Sequence, residues 1–407
     1  ASDSSRVGMI VDATSESGAR LRQPWVREVL QSEETSSLAL APGKMIPGTR
    51  YRVQRWLGDG SMGVVYAAEH VDIGRKVAVK VLRGEGGPTP AVQAFRQEAR
   101  LASQVGSEHI VQVLDFAELP GGRLMFVMEY VDGRPLNREL RKGKLSIART
   151  IGILRQVAKG LGQAHDTKVV HRDVKPDNIM IEAHPRPDRA RLLDFGVASI
   201  SKTVERRAGD LVGTPFYVAP EILEGERYNE LVDLYSLGCT AYEMLSGQPP
   251  FTYDSVEALL KAHVLERPVP LHEVERSVPV ALSDVIMRCL SKRPQQRYPN
   301  MAEFEAALIE AQIAVTLEEK VPVFAAGLGD PKRVTDRARA QGMVTLGLAG
   351  SARNAERQKA AGVDAIVAQG TEAGGHTGRI ANFPLIPQVV DAVAPLPVIA
   401  AGGISDG

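Results

Sequence analysis

The hydrophobic rhythm of this chain changes along its length, and each change bounds what the segment can fold into. Three β-rich runs at 51–57, 64–70 and 76–82 are separated by Gly-containing turns, a pattern that predicts an antiparallel meander. Residues 91–105 have helical spacing, with Phe95, Ala99 and Ala102 on one face, and strand-like runs follow at 111–118 and 124–130. Beyond Leu136 the period is mainly helical. Ser146 opens an amphipathic stretch that reaches His165, and another starts near Glu230 and closes at Ser246 and Gly247. Further helical periods cover 255–265, 279–290 and 301–313. After about Thr316, short apolar runs at 321–326, 343–348, 365–368 and 398–401 alternate with helical patterns at 331–341, 352–361 and 385–393. That alternation is the mark of a parallel sheet or barrel.

A chain of 407 residues exceeds one ordinary core. Residues 1–47 are rich in Ser, Thr, Glu and Gly and predict a poorly ordered tail. The expected division is this tail, an α+β domain at 48–315, and an incomplete α/β barrel fragment at 316–407. Within the α+β domain a sheet-rich lobe covers 48–131 and a helical lobe 132–315, with a cleft between them of the kind ligands favour. The 49 basic and 49 acidic residues cancel, which argues against a nucleic-acid partner held by chain-wide charge. Cys239 and Cys289 both fall in apolar helical stretches, so a reducing compartment is expected rather than a disulfide framework. No apolar run reaches the roughly 18 residues that span a bilayer, and the first residues lack a basic-then-apolar export pattern. The expectation is a cytoplasmic protein with no membrane segment.

The chemistry-bearing residues fall in order along the α+β region. Leu57-Gly58-Asp59-Gly60-Ser61-Met62-Gly63-Val64-Val65 is a glycine-rich turn between two strands. Its backbone can approach phosphate oxygens with no Cβ in the way, although many such hairpins bind nothing. A strand follows it rather than a helix, which disfavours a dinucleotide fingerprint. Lys80 ends the strand-like VAVK run, where a buried ammonium is costly without an anion. Glu98, on the 91–105 helical pattern, is one candidate anion, and nucleotide phosphates are the other. His171-Arg172-Asp173-Val174-Lys175-Pro176-Asp177-Asn178 is followed by Asp194-Phe195-Gly196. Phosphoryl transfer needs a group that orients a hydroxyl, a cation for developing charge and hard oxygen donors for a metal. Asp173, Lys175 and the pair Asn178 and Asp194 supply these in turn.

With the glycine loop, VAVK, the helix glutamate, HRDVKPDN, DFG and Ala219-Pro220-Glu221 in place, residues 50–311 resemble the protein kinases, and among them the bacterial Ser/Thr kinases of eukaryotic type. The resemblance implies a bilobal protein kinase fold, with a small antiparallel-sheet N-lobe and a helical C-lobe. It implies ATP as co-substrate, Mg2+ as cofactor and proteins bearing Ser or Thr as substrates. Lys80 would pair with Glu98 and the α/β-phosphates, Asp173 would be the catalytic aspartate, and Asn178 and Asp194 would hold magnesium. Leu57, Gly58, Gly60, Gly63, Val65 and Ala78 would surround the nucleotide. The hinge at Glu129 to Val131 would hold adenine, with Met128 behind it. Lys175, with Gly213-Thr214, resembles the Ser/Thr type. Asp233 would brace the catalytic loop and Arg297 would pair with Glu221.

Arg172, beside the catalytic aspartate, calls for an anion that in this family is a phosphate on the activation loop. Ser201 and Thr203 are the candidate autophosphorylation sites, with Glu205 or Asp210 as alternative anions, while Thr214 is assigned to Asp173. Self-association for autophosphorylation is a further expectation. The segment 317–407, with VDAIVAQGTEAGGHTG and VIAAGGI, resembles part of the nitronate monooxygenases, FMN-dependent (β/α)8 barrels. That resemblance would place Gln369, Gly370, Gly374, Gly375 and His376 along a flavin, and Gly402 and Gly403 in a phosphate loop. A full barrel takes about 250 residues, so FMN is expected only if the barrel is completed elsewhere. The alternatives to a kinase are therefore a flavin-dependent oxidoreductase built on a completed barrel and a non-catalytic ATP-binding signalling module.

Overall fold

The computed structural model describes residues 40–60, 63–82, 103, 105–120, 122–182, 188–193, 215–319, 321–326, 332–371 and 379–402. The expected helix at 91–105, apart from Ser103 and Val105, and the site residues Glu98, Asp194, Ser201, Thr203, Thr214, Gly374, Gly375, His376 and Gly403 lie outside them. By its contacts the chain divides into two compact units, Ala1–Gln93 with Gln112–Val131, and Ala94–Val111 with Asp132–Gly407.

In the first unit, β1 (Tyr51–Gly60), β2 (Gly63–His70), β3 (Arg75–Leu82), β4 (Val113–Glu118) and β5 (Leu124–Glu129) form one antiparallel sheet in the order β1-β2-β3-β5-β4. Alternation puts Val53, Val64, Tyr66, Val77, Val79, Val81 and Val127 into one core cluster on a single face. The unit starts earlier than the change of rhythm at Tyr51 suggests. Ile46 is fully buried in that cluster, its N–H donates to Tyr51 O at 2.8 Å, and Gly43 N–H donates to Val53 O at 2.7 Å. Residues 40–47, expected to belong to a tail, are thus stitched to β1, because the sheet offers Ile46 an apolar pocket that its own neighbours in sequence do not.

In the second unit a short sheet, β6 (Gly133–Pro135), β7 (Ile179–Glu182) and β8 (Arg189–Leu192), accompanies α1 (Leu136–Leu140) and α2 (Ile147–Asp166). These are followed by α3 (Pro220–Leu223), α4 (Leu231–Ser246), α5 (Val256–Leu265), α6 (Leu271–Val274), α7 (Val280–Cys289) and α8 (Met301–Glu318). The longer helices start where the sequence marks them. Ser146 Oγ accepts from Arg149 N–H, Ser255 Oγ from Ala258 N–H and Asn300 Oδ1 from Glu303 N–H, each a cap worth about 1 kcal/mol. On α2, Ile151, Leu154, Val157, Ala158 and Leu161 are buried at helical spacing, and each large one contributes about 1.5–3 kcal/mol. Helix α4 is buried on nearly every side, which makes it the axis of this core. The cysteines Cys239 and Cys289 are free and buried, and burial pushes both thiols up from their ordinary range. Among the described residues no helix is long and apolar enough to cross a membrane.

The same unit continues into β9 (Val323–Ala326), α9 (Lys332–Ala340), β10 (Val344–Ala349), α10 (Ala352–Ala360), β11 (Ala365–Gln369), α11 (Asn382–Val393) and β12 (Val398–Ala401). The four strands are parallel and adjacent in chain order, as βα units of a barrel are. Helix α8 runs five residues past the expected end at 313, so the division expected at 315/316 falls inside it. Met301, Phe304, Leu308 and Ala311 face the helical core, while Ile313 and Leu317 pack with Phe324, Val334, Ala338 and Met343 of the following segment. Helix α11 begins at Asn382 rather than Leu385 and holds Pro387 inside it, where the missing N–H gives up the bond an ordinary residue would make to Phe383 O, a cost the helix bears.

Beneath α5, His263 is fully buried, its Nδ1 sharing a 2.9 Å hydrogen bond with Tyr235 Oη. Lys292 Nζ donates to the last carbonyls of α5, Ala262 O at 3.1 Å and His263 O at 2.7 Å, where a cation suits the helix dipole. Burial, and then the Lys292 charge, pushes His263 down to about 4. The native ring is therefore neutral while the unfolded ring takes a proton near pH 6.5, so stability is lost as pH falls from about 6.5 to about 4, by about 3 kcal/mol in full. Urea unfolding across that range is expected to show the loss, and His263→Gln is expected to flatten it. A slope unchanged by the substitution would assign it to other groups.

Candidate functional site

On the face of the first sheet opposite its core cluster, cross-strand register gathers most of the residues singled out in β1 to β5. Gly58 pairs with Val65, Val65 with Lys80 and Lys80 with Phe126, while Ala78 pairs with Met128. Phe126 and Met128 are buried on this face, Val65 and Ala78 are half-buried, and Lys80 is buried among them. Gly60 pairs with Gly63 at the end of the hairpin, and Gly63 and Gly58 differ in their surroundings. A Cβ on Gly63 would meet Val81 O at 2.3 Å, so the sheet itself requires that glycine, whereas a Cβ on Gly58 would meet no described atom within 4 Å. Gly58 is thus the glycine the sheet does not explain. Leu57 precedes it on β1. Glu129 closes β5, its N–H donating to Gln112 O at 3.0 Å, and Val131 follows at the end of the unit.

In the second unit the HRDVKPDN segment wraps around a buried carboxylate. Asp233, in the first turn of α4, is fully buried. Its Oδ2 accepts from His171 N–H at 2.8 Å and meets His165 Nε2 at 2.8 Å, and its Oδ1 accepts from Arg172 N–H at 2.6 Å. Held this way, Arg172 adopts a left-handed backbone, φ 67°, a conformation that costs an L-residue about 1–2 kcal/mol and persists only under constraint. His171 is fully buried and its Nε2 meets Leu193 O at 2.8 Å, tying the loop to the residue before Asp194.

The bent loop brings Asp173, Lys175 and Asn178 together. Lys175 Nζ lies 2.7 Å from Asp173 Oδ2. Asn178 Nδ2 donates to Asp173 O at 2.8 Å and to Asp173 Oδ2 at 2.9 Å. Oδ2 is committed twice, while no described residue is placed on Asp173 Oδ1, which can accept from an incoming hydroxyl. With both amide hydrogens spent, Asn178 Oδ1 is left as a hard oxygen donor, the chemistry that suits Mg2+. Asp194 lies outside the described residues, and among the described residues no cluster of three or more His, Cys, Asp or Glu side chains is placed to hold a metal.

Beyond the undescribed 194–214, Pro215–Tyr217 is fastened to α4. Tyr217 Oη donates to Glu243, and Ser236 Oγ donates to Tyr217 O at 2.7 Å. Burial, then the Glu243 carboxylate, raises the phenol well above its usual range. Glu221 and Arg297 are both buried. Arg297 Nη1 and Nη2 donate to Glu221 Oε1 and Oε2 at 2.7 and 2.8 Å. Its other three N–H groups reach Leu231 O, Lys292 O and Ser291 O, so all five guanidinium donors are satisfied. The plane also lies 4.9 Å from the Tyr235 ring centroid.

The family model of the protein kinase domain matches residues 51–307. This chain belongs to the protein kinase family. The serine/threonine-protein kinase Pkn1 of Myxococcus xanthus is 40% identical over 279 residues, which is 68% of this chain and 39% of that protein. The kinase PknB of Mycobacterium tuberculosis (strain ATCC 25177 / H37Ra) is 37% identical over 268 residues, 64% of this chain and 42% of that one. The chain thus spans about two fifths of the length of these curated relatives. The crystal structure of the PknI kinase domain of M. tuberculosis superposes with a TM-score of 0.56 at 29% identity, covering 67% of this chain and 99% of that one. The structure of Rad53 1-466 in complex with AMP-PNP gives 0.53 at 26% identity, covering 63% and 64%. These neighbours share the antiparallel N-lobe sheet and helical C-lobe of the kinase fold. A second family model, nitronate monooxygenase, matches residues 287–407 and overlaps the kinase match at 287–307.

For a flavin, the residues described beyond the kinase match are Gln369, Gly370 and Gly402. A Cβ on Gly370 would meet Asn382 N, Asn382 Oδ1 and Ile380 O, each at 2.6 Å. Gly370 N–H donates to Asn382 Oδ1 at 2.6 Å, and Asn382 Nδ2 donates to Ala401 O at 3.2 Å and to Gly402 O. The glycine and its N–H are therefore accounted for by a contact inside the chain. Sequence reading missed Asn382, the buried side chain that joins the ends of β11 and β12. Its only signal was an Asn at the head of an apolar helical stretch.

The Glu221–Arg297 pair gives a sharp stability test. Arg297→Ala strands a buried carboxylate and is expected to cost about 3–5 kcal/mol, read by urea denaturation. The double substitution Glu221→Met with Arg297→Met should cost less than Arg297→Ala alone. Equal losses would show that packing rather than charge pairing holds this corner.

Proposed function

We propose that this protein kinase transfers the γ-phosphate of Mg-ATP to Ser or Thr hydroxyls of proteins. The observation that carries the reading is the Asp173 carboxylate, with Oδ2 engaged by Lys175 and Asn178 and Oδ1 engaged by no described residue. Asp173 orients the attacking hydroxyl and takes its hydrogen bond as the new O–P bond forms and the bond to the departing ADP oxygen breaks. The Lys175 ammonium, 2.7 Å from the same carboxylate, offsets negative charge that grows on the transferred group. Magnesium would be held through Asn178 Oδ1 and, by the resemblance, Asp194, and would supply positive charge against the phosphate oxygens. The resemblance assigns Lys80, with Glu98, to the α/β-phosphates, and Leu57, Val65, Ala78, Met128 and the Glu129 to Val131 hinge to the base. The serine/threonine-protein kinase relatives support the hydroxyl acceptor, and the Rad53 structure was solved with an ATP analogue.

We read Arg172, held left-handed beside Asp173 and 5.7 Å over the Tyr228 ring, as the receptor for a phosphate that the chain adds to itself at Ser201 or Thr203. Self-association would serve that step. The reading places the chain in the reducing cytoplasm, in keeping with two free, buried cysteines. It assigns no FMN to the C-terminal segment alone.

Asp173→Asn keeps the volume and removes the charge. It is expected to lower the rate of phosphate transfer from radiolabelled ATP to a generic basic protein by about 10²–10⁴, with unfolding unchanged to within about 1 kcal/mol. Equal rates for the two proteins would overturn the kinase reading in favour of a non-catalytic nucleotide binder. Mass spectrometry after incubation with Mg-ATP is expected to find phosphate at Ser201 or Thr203. A fully active protein with neither site modified would remove the proposed switch.

A further inference from the structure

A basic rim borders the catalytic loop. Between 134 and 149 the chain sets Arg134, Arg138, Arg141, Lys142, Lys144 and Arg149 against a single acid, Glu139. Glu139 takes Lys142 and Arg149, Glu275 takes Lys144, and Asp188 also meets Arg149. Arg134, Arg138 and Arg141 are exposed, and among the described residues no carboxylate meets any of the three. Leu136 and Leu140 are the buried residues of α1, so Arg138 and Arg141, three apart, share its outer side. Asn137, beside Arg138 and one turn before Arg141, donates to Asp177 Oδ1 of the HRDVKPDN segment. The rim is thereby fixed within about one helical turn of the loop that carries Asp173.

A rim of this sign draws an acidic segment, and the chain's own sequence holds one. From Glu28 to Leu40 it carries Glu28, Glu33 and Glu34 and no Lys or Arg, with Ser32, Thr35, Ser36 and Ser37 beside them. The activation-loop hydroxyls are set differently, since Ser201 and Thr203 have Lys202 between them and Arg206 and Arg207 close behind. The acidic segment leads directly into a fixed point. Leu40 N–H donates to Tyr66 Oη at 3.0 Å, and Leu40 packs on the core cluster of the first sheet, the face opposite Lys80. Thr35, Ser36 and Ser37 precede Leu40 by three to five residues, so at most about 18 Å of chain ties them to that face. A tether this short, rooted on the side turned away from Lys80, suits an encounter with another molecule better than a return to its own site.

We propose that Thr35, Ser36 and Ser37 accept phosphate from a second copy of this chain, whose Arg134, Arg138 and Arg141 hold Glu33 and Glu34. The hydroxyl oxygen bonds to the γ-phosphorus as the bond to the departing ADP oxygen breaks, and its proton passes by way of Asp173 to solvent. The inference rests on the phosphotransfer reading and adds a substrate to it.

The test takes an isotope-labelled full chain carrying Asp173→Asn as acceptor and the unlabelled chain as enzyme, with Mg-ATP, and reads the sites by mass spectrometry. The generic basic protein serves as a parallel acceptor. Phosphate is expected on residues 35–37 of the labelled chain. Arg138→Glu with Arg141→Glu in the enzyme should raise KM for that acceptor about tenfold, with kcat within about twofold and the urea midpoint unchanged. Glu33→Arg with Glu34→Arg in the acceptor should then restore the lower KM. Transfer to the basic protein with none on 35–37 overturns this inference alone, whereas a chain inactive on both acceptors overturns the phosphotransfer reading as well. A KM that the charge reversal does not raise, or that the exchange does not restore, also overturns the proposal.

Discussion

The kinase portion is organised around one buried negative charge. Asp233 sits in the first turn of α4 with no exposed surface, where an ionised carboxylate is tolerated only if its lone pairs are met. Two backbone N–H groups of the HRD segment and the ring of His165 meet them, and the N-terminal dipole of α4 adds to the same sign. The demand runs in both directions. The carboxylate needs the loop to be neutralised, and the loop needs the carboxylate to hold Arg172 in a left-handed conformation that no side chain of its own kind favours. Asp173 follows that bend, so the geometry of its two oxygens descends from a residue 60 positions away in sequence that faces no substrate.

A second buried charge follows the same rule at the other end of the core. Arg297 meets Glu221 with two donors and three carbonyls with the rest, so no guanidinium hydrogen is left over. Both clusters are fixed to α4, through Asp233 in one case and through Leu231 O and the Tyr235 ring in the other. A helix buried on nearly all sides has little freedom to shift. That is why short loops as different as the HRD segment and the α3 corner can be positioned from it.

How much of this was readable in the sequence depends on whether the cause was local. The capping serines Ser146 and Ser255 announced their helices because the cap bond spans three residues. The strands of the first sheet were readable because alternation is a property of the run itself. The motif from His171 to Asn178 singled out Asp173, Lys175 and Asn178 by their chemistry, while their mutual contacts come from the bend of the loop. Ile46 was not readable, since its burial is supplied by β1 and its own neighbours are Met, Pro and Gly. The close approach of Gly370 to Asn382, twelve residues on, was not readable either, since no local pattern encodes it. Helix α8 was cut short because its apolar stripe changes face near Ile313, and a period that rotates looks like a period that ends.

That rotation carries the architecture of the whole second unit. Helix α8 buries Phe304 and Leu308 in the helical core and Leu317 against α9 and β9, and Glu310 meets Arg337 across the junction. One continuous helix therefore belongs to two hydrophobic clusters. A flexible tether would let the C-terminal segment reorient freely; a shared helix with apolar contacts on both sides does not. The four-stranded sheet is consequently held in a set orientation to α8, and through it to the helical core that carries Asp233 and the catalytic loop.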